Sequence, residues 1–241
     1  MKNCCILTVA KEEYEFSPIW YNYYSKFFDN KDMYCLDNGG NILKQYGVNT
    51  EPGNIDKLNM STHEALKYIV QNKIQKLLLE YKCCVFTEID EFIVANPDVY
   101  PMFINILDIG NVRCTGYNVV QSMNEFSYDN TVPILQQRKK WSRTTQYDKT
   151  NILHTPVIYQ SGFHTCNLNI QPNPNIYLIH LHYFDLNILH TKLKRTRQWV
   201  WRNESINTGI QNKADDTYIA NIVSKLIHNS ENIPLNIKNL L

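Results

Sequence analysis

Residues 4–10 carry no charge and run into the polar group Lys11-Glu12-Glu13, a pattern that predicts a buried first strand. Ser17 and Pro18 then supply an N-cap and a first-turn proline ahead of an aromatic run, 19–28, at helical spacing. Residues 33–36 predict a second strand, closed by the turn Asp37-Asn38-Gly39-Gly40, so the chain opens β-α-β. Ser61-Thr62-His63-Glu64 has the form of a capping box, and Leu66, Ile69, Val70, Ile74, Leu77 and Leu78 follow on one helical stripe. That helix leads into Cys83-Cys84-Val85-Phe86-Thr87, a continuous apolar strand of the kind covered on both faces of a parallel sheet. Alternation of strand and helix through residue 107 therefore predicts an α/β domain with mostly parallel strands. Beyond 111 the pattern turns strand-like over 112–121, 132–139 and 177–183. Asp185 then caps a helix bearing Lys192, Lys194, Arg195 and Arg197, and 214–228 form a last amphipathic helix.

Composition narrows this picture mostly by exclusion. A chain of 241 residues is the size of one domain. Its 24 basic and 23 acidic residues nearly cancel, which argues against nucleic acid or an anionic membrane as the main partner. Eight glycines, with no G-x-G-x-x-G and no Walker-type motif, argue against a site built on Gly-rich phosphate loops. The seven cysteines have no metal-binding spacing and read as reduced, mostly buried thiols. No apolar run approaches the roughly 20 residues of a transmembrane segment. These features together predict a soluble, cytoplasmic protein.

Chemistry concentrates in Thr87-Glu88-Ile89-Asp90-Glu91-Phe92, directly after the buried strand. Period-two geometry puts Glu88 and Asp90 on one side while Ile89 stays in the core. Ligands of open α/β sheets bind outside the carboxyl ends of strands, and paired hard oxygen donors there suit Mg²⁺ or Mn²⁺. The plain alternative is a solvated acidic turn ahead of a helix at Pro97.

The arrangement around this motif resembles the GT-A fold nucleotide-sugar glycosyltransferases of the family 2-like group. Lys11-Glu12-Glu13 with Trp20 stands where that group has a Lys-Asn-Glu turn and a Trp helix. Asp37-Asn38 matches its Asp-Asn after the second strand, and Glu88-Ile89-Asp90-Glu91-Phe92 its D-x-D type motif. Gly162-Phe163-His164, then His182-Tyr183 ahead of Lys192, match its later segments. Glu88 and Glu12 depart from the pattern, and no Glu-Asp pair stands between 105 and 180 to mark a base.

The resemblance implies a GT-A type, Rossmann-like mixed sheet, mostly parallel and flanked by helices. It divides the chain into a glycosyltransferase domain over 1–202, with a nucleotide-binding half 1–107 and an acceptor half 108–202, and a helical extension over 203–241. It implies metal-dependent transfer of a sugar from a nucleotide donor, a UDP-sugar, to a carbohydrate or other hydroxyl acceptor. Asp90, Glu88 and His182 would hold Mn²⁺ or Mg²⁺, with His180 on the same side of its strand as His182. Lys11, Glu13, Asp37, Glu88, His164 and Lys192 would bind the nucleotide sugar, Lys192 closing over the phosphates. Glu125 and Asp129, in the polar segment after 118, are the candidate bases. Each has a bland counterpart: a surface pair for Lys11 and Glu13, an Asx turn for Asp37, a hydrogen-bonded core imidazole for His182, a solvated helix face for Lys194, Arg195 and Arg197. Arg138-Lys139-Lys140-Trp141 reads as a surface basic run beside a partly buried aromatic. A non-catalytic or degenerate sugar-nucleotide-binding module is the alternative to an enzyme.

Overall fold

A computed structural model describes residues 2–58, 60–199 and 215–241. The expected boundary at 202/203 lies outside these residues. Ten strands form one mixed sheet in the order β10-β7-β6-β8-β4-β1-β2-β3, with β9 beside β6 and β5 beside β9. Its strands are β1 (Lys2–Ala10), β2 (Met33–Asp37), β3 (Asn49–Pro52), β4 (Tyr81–Phe86), β5 (Glu91–Ala95), β6 (Val112–Val120), β7 (Lys140–Arg143), β8 (Thr150–Leu153), β9 (Asn173–Tyr183) and β10 (Ser230–Asn232). The parallel run β3-β2-β1-β4 has the Rossmann-like order 3-2-1-4. β8 then pairs antiparallel with β4, and β6 antiparallel with β8 and β7 but parallel with β9.

Strand periodicity explains why helices cover both faces. Ile6 and Ala10 of β1 join one core cluster and Cys5, Leu7 and Val9 the other. Helix α1 (Phe16–Tyr24) seals the first with Phe16, Trp20, Tyr23 and Tyr24; α2 (Thr62–Glu80) seals the second with Val70, Ile74 and Leu77. Ser61 caps α2 by accepting from Glu64 N at 3.4 Å. α1 begins before Ser17, whose N–H donates to Glu13 O, so Ser17 is inside the first turn and Glu15 is the cap position. α4 (Leu186–Thr196) is capped by Asp185, which accepts from Ile188 N at 2.9 Å, and α5 (Asp216–His228) packs beside it on Val120 and Tyr183.

Three expectations are corrected. Residues 132–139 are not a strand: Pro133 starts a single turn, α3 (Ile134–Gln137), whose Ile134 and Leu135 are buried, with Leu135 N donating to Leu241 O. No helix starts at Pro97; residues 91–95 form β5, which the acidic turn hides by reversing the chain between β4 and β5. Arg138 is not on the surface. Its guanidinium, 1% exposed, pairs with Asp185 at 3.2 Å and donates to the Phe184 and Phe126 carbonyls. Trp141 is likewise buried, stacked on Tyr117. The chain after α5 adds β10 to β7 and sends Ile233, Ile237 and Leu241 into the core.

Arg138 therefore joins β9, α4 and the segment after β6 at one buried point. Arg138→Met leaves Asp185 charged and unpaired in the core and is expected to lower unfolding stability by about 3–5 kcal/mol, read by urea denaturation.

Candidate functional site

The carboxyl ends of β1, β2 and β4 lie side by side, and each delivers an acid: Glu13, Asp37 and the 88–91 turn. α1 fixes that turn from below. Trp20 Nε1 donates to Thr87 Oγ1 at 3.0 Å, Tyr23 OH donates to Ile93 O at 2.6 Å, and Tyr24 OH accepts from Ile93 N at 2.9 Å. The turn itself is closed by Glu91 N donating to Glu88 O, and Glu88 N donating to Glu91 Oε2. Asp90 is thereby aimed at β9.

On β9, His180 and His182 point to the same side, as their two-residue spacing requires. Asp90 Oδ2 stands 3.6 Å from His180 Nε2 and 3.5 Å from His182 Nδ1. His180 Nδ1 donates to Asn118 Oδ1 at 2.7 Å, which leaves Nε2 as the ring atom facing Asp90. The rings of His180 and His182 are stacked at 5.6 Å, and Tyr147 stacks on His180 at 4.0 Å. Asp90, His180 and His182 are all buried, and one ligand atom from each lies within 4.8 Å of the others. A carboxylate and two imidazoles meeting in this way are chemically fit to hold a borderline divalent ion. His182 Nε2 is buried and makes no hydrogen bond among the described residues.

Lys192, from α4, reaches into the same group. Its Nζ lies 3.2 Å from Asp90 Oδ2 and 3.1 Å from Glu13 Oε1. Burial works against ionising Asp90, but Lys192 and then His180 outweigh it and hold the carboxyl well below the usual range. Glu13 goes the other way, raised by burial against the pull of Lys192. Burial drives His182 down to about 4, so its imidazole is neutral at pH 7.

A second charged group adjoins the first. Lys149, 2% exposed just before β8, bridges Glu88 Oε2 at 2.5 Å and Glu91 Oε1 at 2.6 Å. Burial, with Glu88 beside it, pushes Glu91 up to about 7 despite Lys149. Sequence reasoning missed Lys149 entirely, as it missed the part played by His180's partner Asn118.

The structure thus brings Glu13, Asp90, His180, His182 and Lys192 into contact, and gives Glu88 to Lys149. Lys192 is buried, not poised above a cleft. Asp37 is buried at the end of β2; its Oδ1 accepts from Gly39 N at 2.7 Å as an Asx turn, while no hydrogen bond to Oδ2 occurs among the described residues. Lys11 lies over the Trp199 ring at 4.7 Å, and Trp199 Nε1 donates to Glu12 Oε2 at 2.8 Å. Glu12 adopts φ 53°, and Gly40 packs on it so closely that a Cβ would stand 3.3 Å from Glu12 Cα. Arg195 pairs with Glu15 through two bonds of 2.8 and 2.7 Å, so this part of the helix face is a contact rather than solvated. Glu125 spends both oxygens on backbone, accepting from Ser122 N and Lys139 N; Asp129 accepts from Thr131. Neither is joined to the Asp90 group by a hydrogen bond or ion pair among the described residues. His164 lies near Glu88, edge-on to Tyr147 at 5.6 Å.

Comparison with known proteins adds a distant structural likeness. Twelve chains of solved structures match, two of them forms of one protein. Staphylococcus aureus TarS aligns at 8% identity over 95% of this chain and 43% of that one, with a TM-score of 0.33. Its 1–349 form aligns at 10% identity over 85% of this chain and 67% of that one, with a TM-score of 0.35. The chain thus spans less than half the length of the first. No protein-family model and no curated protein matches the sequence. No helix among the described residues is long and apolar enough to cross a membrane.

The Lys149 bridge yields a prediction with a defined sign. In Lys149→Met the carboxylates of Glu88 and Glu91 lose their cation, so their folded-state pKa values rise above the unfolded ones. Between those values the folded state holds the extra protons, and stability falls as pH rises. The deficit relative to wild type, about 3–5 kcal/mol at pH 8 for a broken buried pair, is expected to shrink toward pH 4.5 in denaturation curves.

Proposed function

We propose that the protein transfers a sugar from a nucleotide-sugar donor, preferentially a UDP-sugar, to a hydroxyl acceptor, with a divalent ion held by Asp90, His180 and His182. The observation that carries this reading is the meeting of one carboxylate and two imidazoles, Asp90 Oδ2 at 3.5–3.6 Å from each, at the end of β4. That is the edge where open α/β sheets take nucleotides. Of the two ions expected from the motif, nitrogen donors favour Mn²⁺ over Mg²⁺. A bound ion there supplies charge neutralisation for a departing diphosphate.

The remaining work falls to the chain's own residues. Asp37 Oδ2 is available to a ribose hydroxyl. Lys192, with one carboxylate on either side, is a cation that phosphate oxygens can draw from Asp90. Glu13 retains it near the site when Asp90 turns to the metal. Glu88, neutralised by Lys149, acts on the shape of the turn and is a weaker candidate for the metal than His180. The order of motifs along the sequence, from Lys11 to Lys192, supports the same reading.

Lys192 Nζ, already 3.2 Å from Asp90, also favours a second reading, a sugar-nucleotide-binding module without turnover. Calorimetry and donor turnover separate the two. Asp90→Asn keeps the side-chain shape and removes its charge; Mn²⁺-dependent UDP binding is expected to disappear, with the circular dichroism spectrum unchanged. Undiminished Mn²⁺-dependent binding in that variant would overturn the site. Binding by the wild type without UDP release from any UDP-hexose would favour the module.

A further inference from the structure

Four carboxylates are poorly placed to take a proton from an acceptor. Glu88 is tied to Lys149, which with its charge lowers the carboxyl's proton affinity against the effect of burial. Glu91 is 1% exposed, and Glu13 is enclosed with Lys192. Glu125 has both oxygens bound to backbone N–H groups. One nitrogen is better placed. His164 Nδ1 contacts Gln146 O at 2.6 Å; a carbonyl only accepts, so Nδ1 carries the proton and Nε2 keeps its lone pair. Nε2 makes no hydrogen bond among the described residues.

The backbone keeps that nitrogen uncovered. Gly162 and Phe163 both have positive φ, 79° and 61°, a strained turn for a phenylalanine. A Cβ at Gly162 would stand 3.0 Å from His164 Nε2 and 2.9 Å from Cδ2, so any side chain there would press on the ring. Phe163 is buried against Phe86 and Tyr159, which anchors the turn to the core.

Position along the sheet edge assigns the nitrogen a task. Moving strand by strand, Asp37 ends β2, Glu13 follows β1, Asp90 follows β4, and Lys149 and Tyr147 precede β8. His164 lies beyond them, touching Tyr147, which itself stacks on His180. A donor laid along this edge with its ribose at Asp37 and its diphosphate at Asp90 carries its sugar toward His164. Resting on the transfer reading above, we propose that His164 is the catalytic base, its Nε2 taking the proton of the acceptor hydroxyl. As that proton moves to Nε2, the hydroxyl oxygen's electron pair forms the bond to the anomeric carbon. The bond from that carbon to the phosphate oxygen breaks, and its electron pair leaves with the diphosphate; the imidazolium then returns its proton to water. A protein base acting in one displacement inverts the anomeric configuration. The charges facing His164 are consistent with a neutral ring: burial, then the Lys149 ammonium, lower its proton affinity against the opposing pull of Glu88, and His180 adds to the lowering.

The test uses UDP release from a panel of UDP-hexoses with water as acceptor, beside calorimetry of UDP with Mn²⁺. His164→Gln is expected to slow release about 100-fold or more, the ordinary worth of a general base, while UDP affinity stays within about twofold. Gly162→Ala, which crowds Nε2 without removing it, should slow release with the same retained affinity. Absence of Mn²⁺-dependent UDP binding by the wild type would overturn the transfer reading itself. Binding without release from any donor would overturn it as well, in favour of the module. With binding and release both intact, two results overturn the base alone: His164→Gln within about threefold of wild type, or a product of retained configuration by NMR.

Discussion

Asp90 is an ionised carboxylate at the end of a core strand, and it is tolerable there only because a lysine and two imidazoles face it. Burying a lone charge costs far more than a domain can spare, and Asp90, Glu13, Glu88 and Glu91 are each met by a lysine. Lys192 must cross from α4 to meet Asp90 and Glu13, which fixes where α4 lies. Lys149 must precede β8 to meet Glu88 and Glu91, which fixes the join between β4 and β8. Arg138 and Asp185 repeat the arrangement where α4 begins. The second half of the sheet is thus pinned to the first by charge pairs at one edge as much as by its apolar faces.

Those pairs also make the edge responsive. A buried pair is stiff while both partners are present, and unstable when either is claimed by something else. Lys192 is shared between two carboxylates, so a ligand that takes one of its partners leaves the other in place. Glu91, by contrast, is fully enclosed with Lys149 and serves the turn alone. One group is therefore built to exchange partners and its neighbour to keep them, although both hang from the single turn between Glu88 and Glu91.

Local signals carried much of this into the sequence. The uncharged run of β1, the capping box of α2, the apolar β4 and the Asp185 cap each lie within a few residues of what causes them, and each appears in the structure close to where the pattern puts it. The two-residue spacing of His180 and His182 likewise places both on one side of β9. What stayed hidden depends on distant partners. β5 is five residues directly after an acidic turn, and its strand character comes from β9, with Glu91 opposite His180. β8 is four residues made a strand by β4 and β6. Residues 132–139 look strand-like because Ile134 and Leu135 are apolar, yet they are buried by the chain's last residues, with Leu241 against Leu135.

Lys149 is the most instructive omission. In the sequence it is one lysine between Asp148 and Thr150, with no spacing to distinguish it from its solvated counterparts. The need for it was nevertheless visible, since three carboxylates at the end of an apolar strand cannot all be buried without cations. Once Lys149 has Glu88, the acidic motif no longer offers two free carboxylates on one side, and the groups that face Asp90 come from β9 and α4. What faces Asp90 is therefore nitrogen, from two imidazoles, in place of a second carboxylate of the motif. For an ion held there as proposed, that exchange would soften the ligand set from one suited to Mg²⁺ toward one suited to Mn²⁺, and it follows from where a single buried cation sits.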